Sequence, residues 1–193
     1  YLNSNNFIPA HKRTYDACFV GRFHYQKGVL ELIKIWKLVC LKNPQAHLAM
    51  IGNGPLEKEV KHLIKKLGLS KNIYLAGFLD GPKKFEIFKQ SRLVLHPATF
   101  DSGGMAAAEA MAWGLPGVSF DLKALKTYYP KGMLKTSCFD TGEFSENIIS
   151  LLFNPSKYKA MSLEALQLVN EKWEWNNRAK DIYAQAIAQN LVS

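Results

Sequence analysis

The sequence has few cysteines, few acidic side chains and no long apolar run, and each shortage removes a class of explanation. Three cysteines, Cys18, Cys40 and Cys138, stand far apart with no CxxC pair. An odd, scattered set fits buried thiols in a reducing compartment and excludes a disulfide framework or a zinc site. The longest stretch without Asp, Glu, Lys or Arg covers 43–56, 14 residues interrupted by Gly and Pro, short of the roughly 18 that a membrane-spanning helix needs. No signal peptide is visible, so the chain reads as cytoplasmic. No HxH, DxD or HExxH cluster offers a metal site, and no internal repeat or low-complexity tract occurs. Methionine is absent from the first position, and "YLNSNNFIPAHKRTYD" carries no core periodicity. We therefore expect residues 1–15 to be a lead-in from a longer chain.

Acidic residues number 16 against 25 Lys and Arg, a net charge of +9. Such a surface favours anions: phosphorylated small molecules, acidic lipid headgroups or nucleic acid. The interleaved basic and aromatic residues of a single-strand binder are not visible, so nucleic acid is not expected as a partner. Apolar residues make up 48% of the 193, sufficient for the core of one ordinary domain.

Short apolar runs alternate with segments of helical period. "DACFVG" (16–21), "AHLAMIG" (46–52), "NIYLAGF" (72–78), "RLVLHPA" (92–98) and "LPGVSF" (115–120) read as strands. Helices are expected over 29–42, 55–68, 82–91 and 104–113, the second opened near Pro55 and closed at Gly68. Residues 122–139 read as a loop with a weak strand near "GMLKTS", and from Thr141 onward the period is helical. Strands separated by helices of about ten residues imply crossover connections. The expected fold is α/β, a Rossmann-like parallel sheet with helices on both faces over residues 16–170, with 171–193 a helical segment packing back on it.

In such sheets ligands bind beyond the carboxyl ends of the strands. After the first strand, "GRFHYQKG" (21–28) brings Gly21, Arg22 and Lys27 to a helix start. A forked guanidinium, a point charge and free amides suit a diphosphate. After the second, Gly52 and Gly54 allow close backbone approach, although a dinucleotide fingerprint would need a third glycine where Glu57 stands. After the third, Phe78 and Leu79 offer backbone bonds and an apolar wall to a base, or belong to the core. After the fourth, "DSGGMAAAEAMAWGLP" (101–116) sets Asp101, Gly103 and Gly104 before a helix of small residues whose one charge is Glu109. Met105, Ala106, Ala112 and Trp113 share its face by helical spacing. If that face is buried, the carboxylate needs hydrogen-bond donors, and ligand hydroxyls would supply them.

The ordered set "GRFHYQKG", "IGNGP", "LAGFL" and "DSGGMAAAEAMAWGLPGV", with a fainter echo in "KWEWNNRAKDIYAQAI", resembles the nucleotide-sugar-binding, C-terminal half of retaining GT-B glycosyltransferases, family 4 or glycosyl transferases group 1. The resemblance implies that Arg22 and Lys27 hold the donor diphosphate and stabilise the leaving nucleotide. It implies that Asp101 contacts the transferred sugar and Glu109 the ribose, that amides of Gly104 and Met105 meet sugar or phosphate, and that Phe78 and Leu79 hold the base. No metal or other cofactor is implied, and UDP, GDP and ADP donors are not distinguished. The implied partners are the nucleotide-sugar and an N-terminal acceptor-binding domain of the full protein; separately, the basic charge fits peripheral docking of the full protein at the inner face of an anionic membrane. Three departures accompany it: Asp101 where the family has Glu, Ser102, Gly103 and Gly104 in place of a Gly-aromatic-Gly, and "FDLKALK" in place of a Gly-Gly loop. They motivate the alternative of a degenerate domain that binds nucleotide or a partner without transfer.

Overall fold

The computed structural model describes residues 12–172. Six strands, β1 (Tyr15–Val20), β2 (Leu48–Ile51), β3 (Ile73–Gly77), β4 (Ser91–His96), β5 (Gly117–Phe120) and β6 (Met133–Thr136), form one sheet in the order 3-2-1-4-5-6. Every pairing is parallel. Among the described residues seven α-helices connect and cover the strands: α1 (Val29–Lys42), α2 (Glu57–Lys66), α3 (Gly81–Lys89), α4 (Met105–Met111), α5 (Lys123–Tyr128), α6 (Thr141–Phe153) and α7 (Pro155–Lys172).

The two-residue period of the central strands divides the core. Ala17, Phe19, Leu48, Met50, Leu93 and Leu95 face one way, onto α1, α2 and α6. Cys18, Ala49, Ile51 and Val94 face the other, onto α3, α4 and α7. Both faces are apolar because parallel strands must be covered on both sides. In α1 the buried positions Val29, Leu32, Ile33, Trp36 and Val39 recur at three and four, and each large side chain taken from water contributes roughly 1.5–3 kcal/mol before entropy is charged against it. Asn43, which precedes Pro44 and so disfavours helix, ends α1. In α2, Glu57 and Glu59 at the start and Lys65 and Lys66 at the end complement the helix dipole.

Three expectations change. Residues 122–139 are not a loop: Lys123–Tyr128 form α5, held because Leu125 and, just beyond it, Tyr129 are fully buried. The helix expected over 104–113 is the shorter α4, because Gly104 in left-handed backbone and the turn at Gly114 clip both ends. Cys138 is exposed, while Cys18 is buried, Cys40 half-buried and all three thiols free; burial pushes Cys18 up to about 12. The lead-in is tied down at its end, since Arg13 donates to the Ser91 carbonyl at 2.6 Å. The "KWEWNNRAKDIYAQAI" echo and most of the helical segment expected over 171–193 lie outside the described residues. No described helix is long and apolar enough to cross a membrane.

Candidate functional site

Strand order reverses between β1 and β4, and open α/β sheets bind ligands in the crevice beyond such a switch point. A cavity of about 600 Å³ lies at this end of the sheet. Its walls are Gly21 and Arg22 after β1, Gly52 and Asn53 after β2, Phe78, Leu79, Asp80 and Lys84 from β3 into α3, and Met105, Ala106 and Glu109 of α4. Helices α3 and α4 flank it, and Phe85 of α3 meets Trp113, in the turn after α4, with ring centroids 5.7 Å apart.

The loops after β1 and β4 are stitched across the switch point. Thr99 and Phe100 amides donate to the Gln26 carbonyl at 2.9 and 3.3 Å. Gly28 closes the short turn Tyr25–Lys27 with φ 63°, and a Cβ there would lie 1.9 Å from the Pro97 carbonyl oxygen. Only glycine meets both demands. Gly52 does the same between β2 and β1, where a Cβ would fall 1.9 Å from the Gly21 oxygen. Gly54 presses on the Phe23 backbone, so its role is loop packing, and it is absent from the cavity wall.

Asp101 is the knot of this stitching. Its Oδ2 lies 2.6 Å from Lys27 Nζ and 3.1 Å from His96 Nε2. Its Oδ1 accepts from the amides of Gly103 at 3.0 Å and Gly104 at 2.8 Å. The approach of His96 Nε2 does not form a hydrogen bond. The Asp101 side chain is 6% exposed. Burial pushes its carboxyl up, but the His96 contact, the Lys27 bond and the two amides outweigh burial and hold it well below the usual carboxylate range. Two sequence expectations are modified here. The amides of Gly103 and Gly104 are spent on Asp101 and not left free for a ligand. Lys27, 34% exposed, is clasped by Asp101 and stands outside the cavity lining, as do Asp101, Gly103 and Gly104.

For Glu109 the condition of a buried face is not met. Its side chain is 48% exposed, because α4 buries Ala107, Ala108, Ala110 and Met111 and turns the Met105–Glu109 stripe outward. A half-exposed carboxylate carries little desolvation penalty, and its partner is protein: Lys84 Nζ at 2.8 Å. Phe78 is 71% exposed, which excludes the core alternative and leaves it at the cavity edge. Leu79, Met105 and Gly21 line the cavity as expected.

Several residues here escaped the sequence reading. Lys84 gave no signal because a lysine on an amphipathic helix reads as solvated surface. His96 lies in what reads as an apolar strand. Tyr129, in the segment read as loop, donates to the Gly104 carbonyl at 2.6 Å and steadies the α4 entry.

Fold and cavity together define a Rossmann-like domain whose crevice is lined by two cations, Arg22 and Lys84, and two carboxylates, Asp80 and Glu109. The chain belongs to the glycosyl transferases group 1, whose family model matches residues 4–167. It is 25% identical over 168 residues to the poly(glycerol-phosphate) alpha-glucosyltransferase of Bacillus subtilis, covering 85% of this chain and 24% of that protein. TarM of S. aureus, solved with UDP, alpha-GlcNAc-glycerol and Fondaparinux, superposes with a TM-score of 0.77 at 21% identity over 87% of this chain and 36% of that one. Anabaena HepE, solved with UDP and glucose, gives 0.74 at 19% identity over 92% and 48%. These structural likenesses establish the Rossmann-like fold shared with GT-B glycosyltransferases. The chain spans 24–47% of the length of the curated relatives it matches.

Proposed function

We propose that this domain is the nucleotide-sugar-binding half of a retaining glycosyltransferase, which transfers a sugar from a nucleoside diphosphate donor to a glycan or lipid-linked acceptor. The observation that carries the reading is the cavity at the switch point, where a cation on the β1 loop, an exposed aromatic on the β3 loop and a carboxylate on α4 face one volume of about 600 Å³. That size suits a nucleotide-sugar. Family membership and the UDP in the TarM and HepE structures support it.

In this reading Arg22 receives the diphosphate, and Lys27, held by Asp101, adds charge across the β1–β4 junction. Breaking the sugar–phosphate bond builds negative charge on the leaving phosphate, and fixed cations stabilise it with little reorganisation. Those two cations carry the step without a metal. Phe78 and Leu79 take the base and Glu109 the ribose hydroxyls. Asp101, with both oxygens engaged, acts by fixing Lys27 and the α4 entry and reaches the sugar only if that clasp opens. A second domain of the full protein supplies the acceptor site, and the basic surface docks the assembly on an anionic membrane.

Calorimetric titration with UDP, GDP and ADP tests the donor site: micromolar to millimolar binding of at least one is expected, and no binding of any at millimolar concentration refutes it. Arg22→Ala should weaken diphosphate binding about tenfold or more, the loss of one charge-assisted contact of roughly 1.5–3 kcal/mol, and Lys27→Ala should weaken it less, because Lys27 is paired with Asp101 outside the cavity lining. The engagement of Asp101 favours one rival reading, a domain that binds nucleotide without transfer; binding with no sugar transfer by the full protein would establish it.

A further inference from the structure

We infer that Lys84 is a positioning residue for nucleotide recognition: it fixes the Glu109 carboxylate in the orientation that receives the two ribose hydroxyls. This rests on the donor-site reading above. Lys84 rises from the first turn of α3, yet its side chain is only 12% exposed, drawn along the cavity wall toward α4. Its Nζ lies 2.8 Å from Glu109 Oε2 and 3.3 Å from Asp80 Oδ1. The second contact, one turn back on the same helix, fixes the ammonium from below, and the Phe85 ring, 5.8 Å from Nζ, adds a cation–π contact.

Glu109 alone would be a poor ligand group. It is nearly half exposed on a helix of seven residues, and a free glutamate side chain loses rotamer entropy when it is immobilised. The ion pair settles that loss before any ligand arrives. One oxygen is tethered to Lys84, while Oε1 has no partner among the described residues and is left to accept from a diol. Burial alone would lower the Lys84 pKa, but Glu109 and Asp80 outweigh it and hold it above the ordinary lysine value, so the tether persists at neutral pH. Pre-organisation of this kind strengthens binding by reducing the ordering cost of the contact, not by adding a contact.

The consequence is specific. Removing Lys84 should reduce the protein's preference for ribose over a sugar lacking its hydroxyls, and should leave affinity for the latter largely intact. A purely structural tie between α3 and α4 would instead weaken both ligands alike. The experiment titrates UDP, GDP and their 2′,3′-dideoxy analogues into the protein, Lys84→Met and Lys84→Arg, with thermal unfolding of each variant recorded in parallel. The unsubstituted protein should prefer the ribonucleotide about tenfold. Lys84→Met should lower that preference at least threefold with the dideoxy affinity changed less than twofold, and Lys84→Arg should restore most of it. A Lys84→Met protein that keeps the full preference, or loses affinity for both ligands equally, overturns the assignment. A Lys84→Met protein that fails to fold while Lys84→Arg folds without the preference overturns it too. If the unsubstituted protein binds both analogues equally, Glu109 is not a ribose ligand, and the failure then belongs to the donor-site reading itself.

Discussion

Replacing Asp101 should loosen the whole crest of the sheet, and the size of the effect follows from its partners. The side chain is 6% exposed and serves Lys27, His96 and the amides of Gly103 and Gly104. Hydrogen bonds to a charged group contribute roughly 1.5–3 kcal/mol each, not additively, and removing one member of a buried pair costs about 3–5 kcal/mol. Lys27 is a third exposed, so water recovers part of its share. Asp101→Ala should therefore cost about 3 kcal/mol, and Asp101→Asn, which keeps an acceptor for the two amides, about 2 kcal/mol. For a domain of this length the alanine variant should melt roughly 6–12 °C lower.

The pH dependence has a definite sign. The folded pKa of Asp101 is depressed below its unfolded value of about 3.9. The unfolded chain thus takes up the proton first as pH falls, and the stabilisation present above that value declines by about 1.4 kcal/mol per pH unit below it until the folded carboxylate also protonates. Urea unfolding of the unsubstituted protein and Asp101→Asn at pH 7, 5, 4 and 3, followed by tryptophan fluorescence, measures this. The gap between them should be constant from pH 7 to 5 and narrow by about 1 kcal/mol toward pH 3. A variant as stable as the parent, or a gap that does not narrow, refutes the structural role given to Asp101.

Gly28→Ala should lower unfolding stability by about 2 kcal/mol or more, because it combines a φ of 63° with a Cβ 1.9 Å from the Pro97 oxygen; a loss under about 0.5 kcal/mol would contradict that geometry. Phe78→Ala should leave stability within about 0.5 kcal/mol, since the ring is mostly exposed, yet weaken nucleotide binding about tenfold by removing base stacking; calorimetry alongside thermal melting separates the two effects. Lys135 is pushed down to about 8 by burial, opposed by Asp121, so NMR titration of its side chain should show a midpoint near that value, and a midpoint above 10 would show that its ammonium is solvated. Because the unfolded chain then binds the proton more tightly than the folded one, Lys135→Met should abolish a rise in stability between pH 8 and 10 that the parent shows.

What the sequence determined was periodicity, and with it the sheet. Apolar runs at two-residue and three-to-four-residue spacing specify strands and helices locally, and the alternation of the two leaves a parallel doubly wound topology as the economical packing. Gly21, Arg22, Phe78, Leu79 and the Gly52 turn were legible for the same reason: they follow strand ends, and strand ends converge in this topology. Tertiary structure decided which way side chains turn once there. Helix α5 escaped because "LKALKTYY" has too short a period to announce itself and is held by burying Leu125 and Tyr129 under neighbours distant in sequence. The orientation of α4 escaped because a helix of alanines carries almost no amphipathic signal, so only packing against the sheet and α7 could put Ala107 and Ala110 inside and Glu109 outside. The pairings Lys27–Asp101 and Lys84–Glu109 join residues 74 and 25 positions apart. Charge–charge distances of this kind arise only when the loops and helices that follow separate strands are brought together, and no local pattern records them.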